Sequence, residues 1–302
     1  MSIRKQNNYF AVIVTYNPNF ERLTSTVNNL LKQGFSVVIV DNNSTNILEI
    51  EKLKELCALV CLDNNYGIAK ALNVGMAYAI NNGADWILSS DQDTIISPNI
   101  LDEYKRYVGL PKVGALCPSV RRKDGYNSAS NFEEFEIIER CPTSGFFISA
   151  DAWKKCSGYD DWLFIDYVDY DICIKLKIAG YFIYRINSAF IIQELGKAQV
   201  IKFIEKIGKL LNVKKIINFS HTYNHSPLRN YYFVRNALFY QSKYKNYIDL
   251  NKDRMFVLKW ELKKLLLEPK KLAILESIFH GYKDYKKHVE ELNHKKLEEQ
   301  NE

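Results

Sequence analysis

Four short runs of aliphatic and β-branched residues, each stopped by polar residues and separated by helical patterns, restrict this chain to a layered α/β fold. The runs are Tyr9 to Thr15, Ser36 to Val40, Leu59 to Leu62 and Trp86 to Ser90. Apolar residues at helical spacing lie between them: Leu23, Val27, Leu30 and Leu31, then a stretch around Ile47 to Cys57, then about Ile68 to Asn81. Runs of this length bounded by turn residues read as buried strands. Strands that alternate with helices pair in parallel, and such sheets are covered on both faces. Ligands of these sheets bind in the crevice outside the carboxyl ends of the strands. Thr15-Tyr16-Asn17, Asp41-Asn42-Asn43-Ser44 and Asp91-Gln92-Asp93 each follow a strand, so all three are expected to line one crevice.

Beyond residue 220 the character changes. Leu228 to Tyr244, Asn251 to Leu267 and Lys270 to Leu292 read as aromatic-rich or Lys-rich helices, and the last ten residues are expected to fray. The expected division is a nucleotide-binding and catalytic domain over 1–220 and a helical subdomain over 221–302. A chain of 302 residues with 47% hydrophobic content supplies the core such an arrangement needs.

Several classes are disfavoured at this level. No stretch approaches the roughly 18 apolar residues of a membrane span, and Met1 to Asn8 is polar rather than signal-like, so a cytosolic protein is expected. The six cysteines (Cys57, Cys61, Cys117, Cys141, Cys156, Cys173) sit in apolar segments without zinc-site spacing, and are read as reduced, buried and structural. Lys197, Lys202, Lys206, Lys209, Lys214 and Lys215 face one nearby acid, Glu205, within a net charge of +6. That bias suits a phosphorylated substrate or an anionic membrane surface, while nucleic acid is disfavoured because no binding motif accompanies it. Within the same stretch Val200, Phe203, Ile204, Ile207 and Leu211 follow helical spacing. Such a stripe serves peripheral membrane contact, with a lipid-linked acceptor, or packs on the protein's own core. A homodimer is left open.

Asp91 and Asp93 carry the sharpest local chemistry. Residues i and i+2 of an extended segment face the same way, and two carboxylates held together become favourable when a divalent cation sits between them and phosphate oxygens. A solvated turn after a strand would also use these residues. Asp41 is equally two-faced, as a turn and cap residue or as an acceptor for a nucleobase imide N–H. Gly67 lacks the partners of a dinucleotide fingerprint, and no phosphate-loop motif occurs. Asp166, Asp169 and Asp171 cluster before an amphipathic stretch, Ile172 to Ile178, that stops at Gly180. At least one of them caps a helix, and another could act as a general base tuned by partial burial. His225, Arg229 and Arg235 stand near the start of a helix, where arginine forks suit phosphate oxygens and equally suit solvent.

Taken together these residues resemble the family 2 inverting glycosyltransferases of the GT-A fold, and within them the bacterial rhamnosyltransferase branch. The anchors are Val12-Ile13-Val14-Thr15-Tyr16-Asn17-Pro18, Val40-Asp41-Asn42-Asn43-Ser44, Asn65-Tyr66-Gly67-Ile68-Ala69 with Asn73 and Gly75, and Asp91-Gln92-Asp93. They continue in Thr143-Ser144-Gly145, Phe164-Ile165-Asp166-Tyr167-Val168-Asp169, Glu194-Leu195-Gly196 and His225-Ser226-Pro227-Leu228-Arg229. The resemblance implies a Rossmann-like, mostly parallel central sheet with helices on both faces, followed by a helical subdomain. It implies transfer of L-rhamnose from dTDP-rhamnose, or a hexose from a UDP-sugar, to a saccharide acceptor in bacterial O-antigen or capsule synthesis.

Carried over by position, the resemblance implies that Thr15, Tyr16 and Asp41 hold the nucleoside. Asp91 then lies near the ribose and the metal, and Asp93 binds the Mg2+ or Mn2+ ion on the diphosphate. Asn17, Asn65, Gly67, Ala69, Asn73, Gln92 and Gly145 fall in substrate-binding segments, and Asp169 falls at the position of the general base. One departure is Gln193, where many relatives have a histidine two residues before the Leu-Gly pair; His225 and Arg229 then carry more of the diphosphate contact. A nucleotidyltransferase would share the crevice but begins with a glycine-rich, Arg-containing turn that is missing after Val14. A non-catalytic saccharide-binding protein is disfavoured by the presence of all three aspartates.

Overall fold

The computed structural model describes residues 8–122, 126–129, 133–193, 199–222 and 225–301. It forms two compact units, one of Met1–Phe164 with Val168–Glu194 and one of Ile165–Tyr167 with Leu195–Glu302. The Glu194-Leu195-Gly196 segment and Lys197 lie outside the described residues.

In chain order the first unit contains β1 (Tyr9–Thr15), α1 (Phe20–Lys32), β2 (Ser36–Asp41), α2 (Ile47–Ile50), β3 (Ala58–Cys61) and α3 (Gly67–Asn81). There follow β4 (Trp86–Asp91), β5 (Ile95–Ile96), α4 (Ile100–Lys105), β6 (Val113–Arg121), β7 (Phe135–Ile138) and β8 (Phe146–Ser149). The unit is completed by α5 (Ala150–Lys155), α6 (Val168–Ile178) and β9 (Phe182–Ile192). The sheet order is β3-β2-β1-β4-β8-β6-β9-β5, with β7 also paired to β9. From β3 to β4 every pairing is parallel; β8 then enters antiparallel between β4 and β6, and β6 and β9 are again parallel. Most strands therefore point one way, and this is the GT-A arrangement. The interior of β1 and all of β2 after Ser36 are buried, as parallel strands covered on both faces should be.

Register decides where the polar loops emerge. Thr15 pairs with Asp41, Val14 with Asp91, and Asp41 with Cys61, so the loops after β1, β2, β3 and β4 leave the same edge of the sheet. Helix α3 reaches its place because Gly75 has no side chain: a Cβ there would lie 2.3 Å from Val12 Cγ1. The core on the other face is aromatic. Phe147 of β8 stacks on Trp86 and on Tyr104, each with centroids 5.2 Å apart, and meets Phe35 edge-on. The helical stretch expected over 47–57 is shorter, with α2 followed by one 3₁₀ turn, Glu51–Leu53. Ile50 and Leu53, three apart, are the fully buried side chains there, with Ile47 and Cys57 packed partly against the same core, and the three-residue spacing fits the tighter helix.

The second unit holds β10 (Gln199–Val200), α7 (Lys202–Leu210), α8 (Lys214–Phe219), β11 (His221–Thr222), α9 (Pro227–Lys243), α10 (Leu250–Leu267) and α11 (Lys271–Asn301). Ser226 caps α9 by accepting from Arg229 N, with Pro227 in the first turn. Helix α11 runs on to Asn301, into the stretch expected to fray; His294 and Glu298 pair one turn apart at 3.1 Å. The stripe along α7 is not taken up by packing alone, since Phe203 is 74% and Leu211 58% exposed. Four cysteines are buried, whereas Cys57 is half-buried and Cys61, at the end of the edge strand β3, is exposed; all six are free thiols. Among the described residues no helix is long and apolar enough to cross a membrane.

Candidate active site

The loop after β2 is tied to the loop after β1. Asp41, buried, accepts from Thr15 Oγ1 (2.9 Å), Ser44 Oγ (2.5 Å) and Ser44 N (2.8 Å). Ser44 Oγ in turn accepts from Asn17 N, and Asn17 Oδ1 accepts from the amide and hydroxyl of Thr45. Asp41 thus performs the turn chemistry its neighbours suggested, with three of roughly four acceptor positions used within the two loops. A β3–α3 turn closes the same edge. Asn42 Nδ2 donates to Asn65 Oδ1 and Gly67 O, and Asn42 Oδ1 accepts from Tyr66 N. Gly67 has φ +83°, and a Cβ on it would lie 2.4 Å from Phe164 O, so this turn requires glycine.

Gln92 fastens the β4 turn to Tyr16. Its Oε1 accepts from Tyr16 N at 2.7 Å and its Nε2 donates to Tyr16 O at 3.2 Å, which leaves the Tyr16 ring half exposed at the crevice edge. Ser144 supports the same turn from below: its Oγ accepts from Asp91 N and donates to Thr94 Oγ1. Gly145 donates to Ser89 O, and its own carbonyl accepts from Tyr104 OH at 2.8 Å, so the aromatic core fixes the floor of the site.

The carboxylates of Asp91 and Asp93 are bonded to no described side chain. Burial, and then the neighbouring Asp93 charge, push the Asp91 carboxyl up to about 6, while Asp93 is exposed. A partly buried carboxylate raised by desolvation and by a like charge is relieved by a cation. Among the described residues no third acidic, His or Cys side chain joins them. The pair therefore fits an ion that takes one or two carboxylates and completes its shell with phosphate and water oxygens.

Ala69 and Asn73 contribute by packing. Ala69 is fully buried, and the Asn73 amide binds Tyr159 N, Tyr159 O and Asp161 Oδ1, which holds the 159–161 loop against α3.

Asp169 lies in the first turn of α6, its Oδ1 accepting from Tyr170 N. It lines a cavity of about 350 Å³ together with Gln193 and three arginines, Arg122, Arg140 and Arg185. Local pattern could not have found the arginines, because they come from the ends of β6, the approach to β8 and the middle of β9. Asp171, by contrast, is fully buried and paired with Lys175 at 2.8 Å.

His225 and Arg229 belong to the second unit. They line a cavity of about 170 Å³ with Asp166, Phe233, Trp260 and Lys264. Arg229 pairs with Asp166 at 3.0 Å. Burial, with Arg229 and Lys264 close by, lowers the His225 pKa. Asp166 and Tyr167 both adopt left-handed φ, +62° and +64°. Such conformations cost of order 1–3 kcal/mol each and persist where neighbours over-determine them. Here Asn236 Nδ2 donates to the carbonyls of Ile165 (2.7 Å) and Asp166 (3.1 Å).

A parallel sheet edge that ends in an acidic pair suits a sugar-nucleotide transferase, and comparison with known proteins shows that class. Residues 10–164 match the model of glycosyl transferase family 2, and the chain belongs to that family. It is 30% identical over 249 residues to the dTDP-rhamnosyl transferase RfbF of Shigella flexneri, covering 76% of this chain and 79% of that protein. Among solved structures it is similar to GalNAc-T7 with UDP, GalNAc and Mn2+, at TM-score 0.57 and 15% identity. That match covers 81% of this chain, which spans half the length of the GalNAc-T7 chain. It is also similar to Staphylococcus aureus TarS in complex with UDP-GlcNAc, at TM-score 0.54 and 15% identity, over 92% of this chain and 80% of that one. These structural likenesses concern the fold.

Proposed function

We propose that this glycosyltransferase moves L-rhamnose from dTDP-rhamnose to a saccharide hydroxyl with inversion at the anomeric carbon. The observation that carries the reading is the strand-end register that sets Thr15, Asp41 and Asp91 on one edge, with Asp91 poised by burial to take a counter-ion. The choice of rhamnose is supported by similarity to the Shigella flexneri enzyme. The half-exposed Tyr16 ring stacks on the nucleobase, and Asp41 uses its remaining acceptor position for the imide N–H. Asp91 and Asp93 would hold a Mg2+ or Mn2+ ion, which when bound supplies positive charge to the departing diphosphate. Asp169 takes the proton of the acceptor hydroxyl. That oxygen bonds to C1 from the face opposite the diphosphate, the C1–O bond to the diphosphate breaks, and the proton stays on Asp169. The choice of Asp169 is supported by its cavity, since Asp171 is spent on Lys175 and Asp166 on Arg229.

The acceptor is lipid-linked in this reading, and the protein rests on the membrane through α7. Exposed Phe203, Leu210 and Leu211 beside Lys202, Lys206 and Lys209 give that helix an apolar face with a basic margin. A screen of nucleoside diphosphate release across several sugar nucleotides tests the donor. Turnover with dTDP-rhamnose above all others is expected; tight binding of UDP-hexoses and none of dTDP-rhamnose would overturn the assignment.

A further inference from the structure

Helix α10 of the second unit buries charge and exposes leucine. Its inward face carries Asp253, Glu261 and Lys264, all buried. Gln241 Nε2 donates to Asp253 Oδ2 at 2.9 Å, Asn230 Nδ2 donates to Glu261 Oε2 at 3.1 Å, and Lys264 Nζ reaches both Asn230 and Glu261, so polar contacts hold α10 to α9. The inner face of α11 is spent on α9 as well. Ser277 Oγ lies 2.9 Å from Pro227 O, and a Cβ on Gly281 would lie 2.9 Å from Tyr231 O. Neither packing uses the apolar stripes of these helices. Met255, Leu258, Leu262 and Leu266 on α10, and Leu272, Leu275, Phe279 and Tyr282 on α11, are between 45% and 78% exposed. A surface helix of a monomer shows the opposite pattern, with its apolar stripe facing the core.

The stripes recur at steps of three and four residues, the spacing of a seam between packed helices. Only residues 268–270 link α10 to α11, which makes the helices antiparallel neighbours. Leu258, Leu262, Leu265, Ile278 and Tyr282 line one groove of about 450 Å³ with Val234 of α9, so the two stripes border the same groove. A half-exposed side chain of this size offers roughly 100 Å². Together the stripes offer on the order of 800 Å², which exceeds the roughly 300–600 Å² of a monomer's largest apolar patch and matches the contribution of each partner to a stable dimer.

We infer that this face docks a second copy of the chain, the α10 and α11 hairpins of the two copies packing as four helices about a two-fold axis. In such a contact each copy presents the same stripes to the other, so the exposed leucines of one are covered by those of its partner. A bilayer fits the face less well. Exposed Glu276 lies one turn from Leu272 and from Phe279, and insertion of those side chains would draw its carboxylate toward hydrocarbon. The contact is independent of the donor and acceptor assignments.

Sedimentation velocity and light scattering of the full chain test this. Between about 1 and 100 μM, wild type should reach a mass twice the 35.2 kDa of one chain. Amide hydrogen exchange along α10 and α11 should slow as the concentration rises through that transition. Leu262→Glu with Leu275→Glu sets two carboxylates in the middle of the seam and should give the mass of one chain, with circular dichroism and dTDP affinity as in wild type. Should that variant fail to fold, Leu272→Ser and Phe279→Ser, at exposed positions of α11, should each raise the dimer dissociation constant about tenfold or more. A single-chain mass for wild type at about 100 μM would overturn the inference, and so would a dimer that survives all of these substitutions. A single-chain wild type that floats on vesicles only while Leu262 and Leu275 are intact would make a lipid surface the occupant instead.

Discussion

Replacing Asp91 by Asn should make the ligand-free protein more stable while removing its metal-dependent donor binding. The Asp91 carboxyl is raised from an ordinary 3.8 to about 6, first by burial and then by Asp93. Each unit of pKa is worth about 1.4 kcal/mol, so holding Asp91 ionised costs the fold up to about 3 kcal/mol at neutral pH. The sign follows from proton counts. Between about pH 4 and 6 the folded protein keeps a proton that the unfolded chain has lost, so stability falls as pH rises through that window. Asn is neutral throughout and escapes the loss. Allowing for the new amide's own desolvation, Asp91→Asn should gain about 2 kcal/mol at about pH 7.5, and nothing at about pH 4. In thermal melts with chelator that is a rise of about 3 °C. Manganese with dTDP should then raise the melting temperature of wild type and leave the variant unmoved. A variant no more stable than wild type at neutral pH, or an advantage that persists at acid pH, would refute the reasoning.

Asp169→Asn should cut turnover by roughly 100-fold or more with donor affinity nearly unchanged, because the base faces the acceptor; steady-state rates with dTDP calorimetry check this, and collapse in Asp171→Asn instead would move the assignment. Gly67→Ala should destabilise the fold by about 1–3 kcal/mol and weaken dTDP binding, since it forces a Cβ at positive φ into Phe164 O; denaturant melts would show it, and a neutral outcome would mean the turn relaxes freely. Anionic vesicles should float the protein in a salt-sensitive way, and Phe203→Ser with Leu210→Ser should abolish flotation; no binding at low ionic strength rejects the membrane reading.

The parallel half of the sheet was legible because β1, β2 and β4 are buried on both faces and end in polar residues, so composition alone marks both strand and edge. The same logic found Asp91 and Asp93. Gln92 and Ser144 stood in quoted segments, but their work, fastening Tyr16 and Asp91 N, depends on pairings 76 and 53 residues apart. The antiparallel entry of β8 left no period of its own, since Phe146–Ser149 is a four-residue strand whose position is set by Phe147 stacking on distant rings. Arg122 and Arg185 reach one cavity because β6 and β9 are neighbours in the sheet, and Arg140 joins them from the segment between β7 and β8. The exposure of Cys61 and of Phe203 was equally hidden, because apolar residues at regular spacing do not say what, if anything, covers them.

The central claim is that the acidic pair at the end of β4 holds the charge of a sugar nucleotide's diphosphate during transfer. The most direct measurement is the initial rate of dTDP release from dTDP-rhamnose with manganese, with excess chelator, and with Asp93→Ala in manganese. The account predicts turnover in the first condition and none in the other two, with Asp93→Ala still folded. Undiminished turnover in chelator, or in Asp93→Ala, would contradict it.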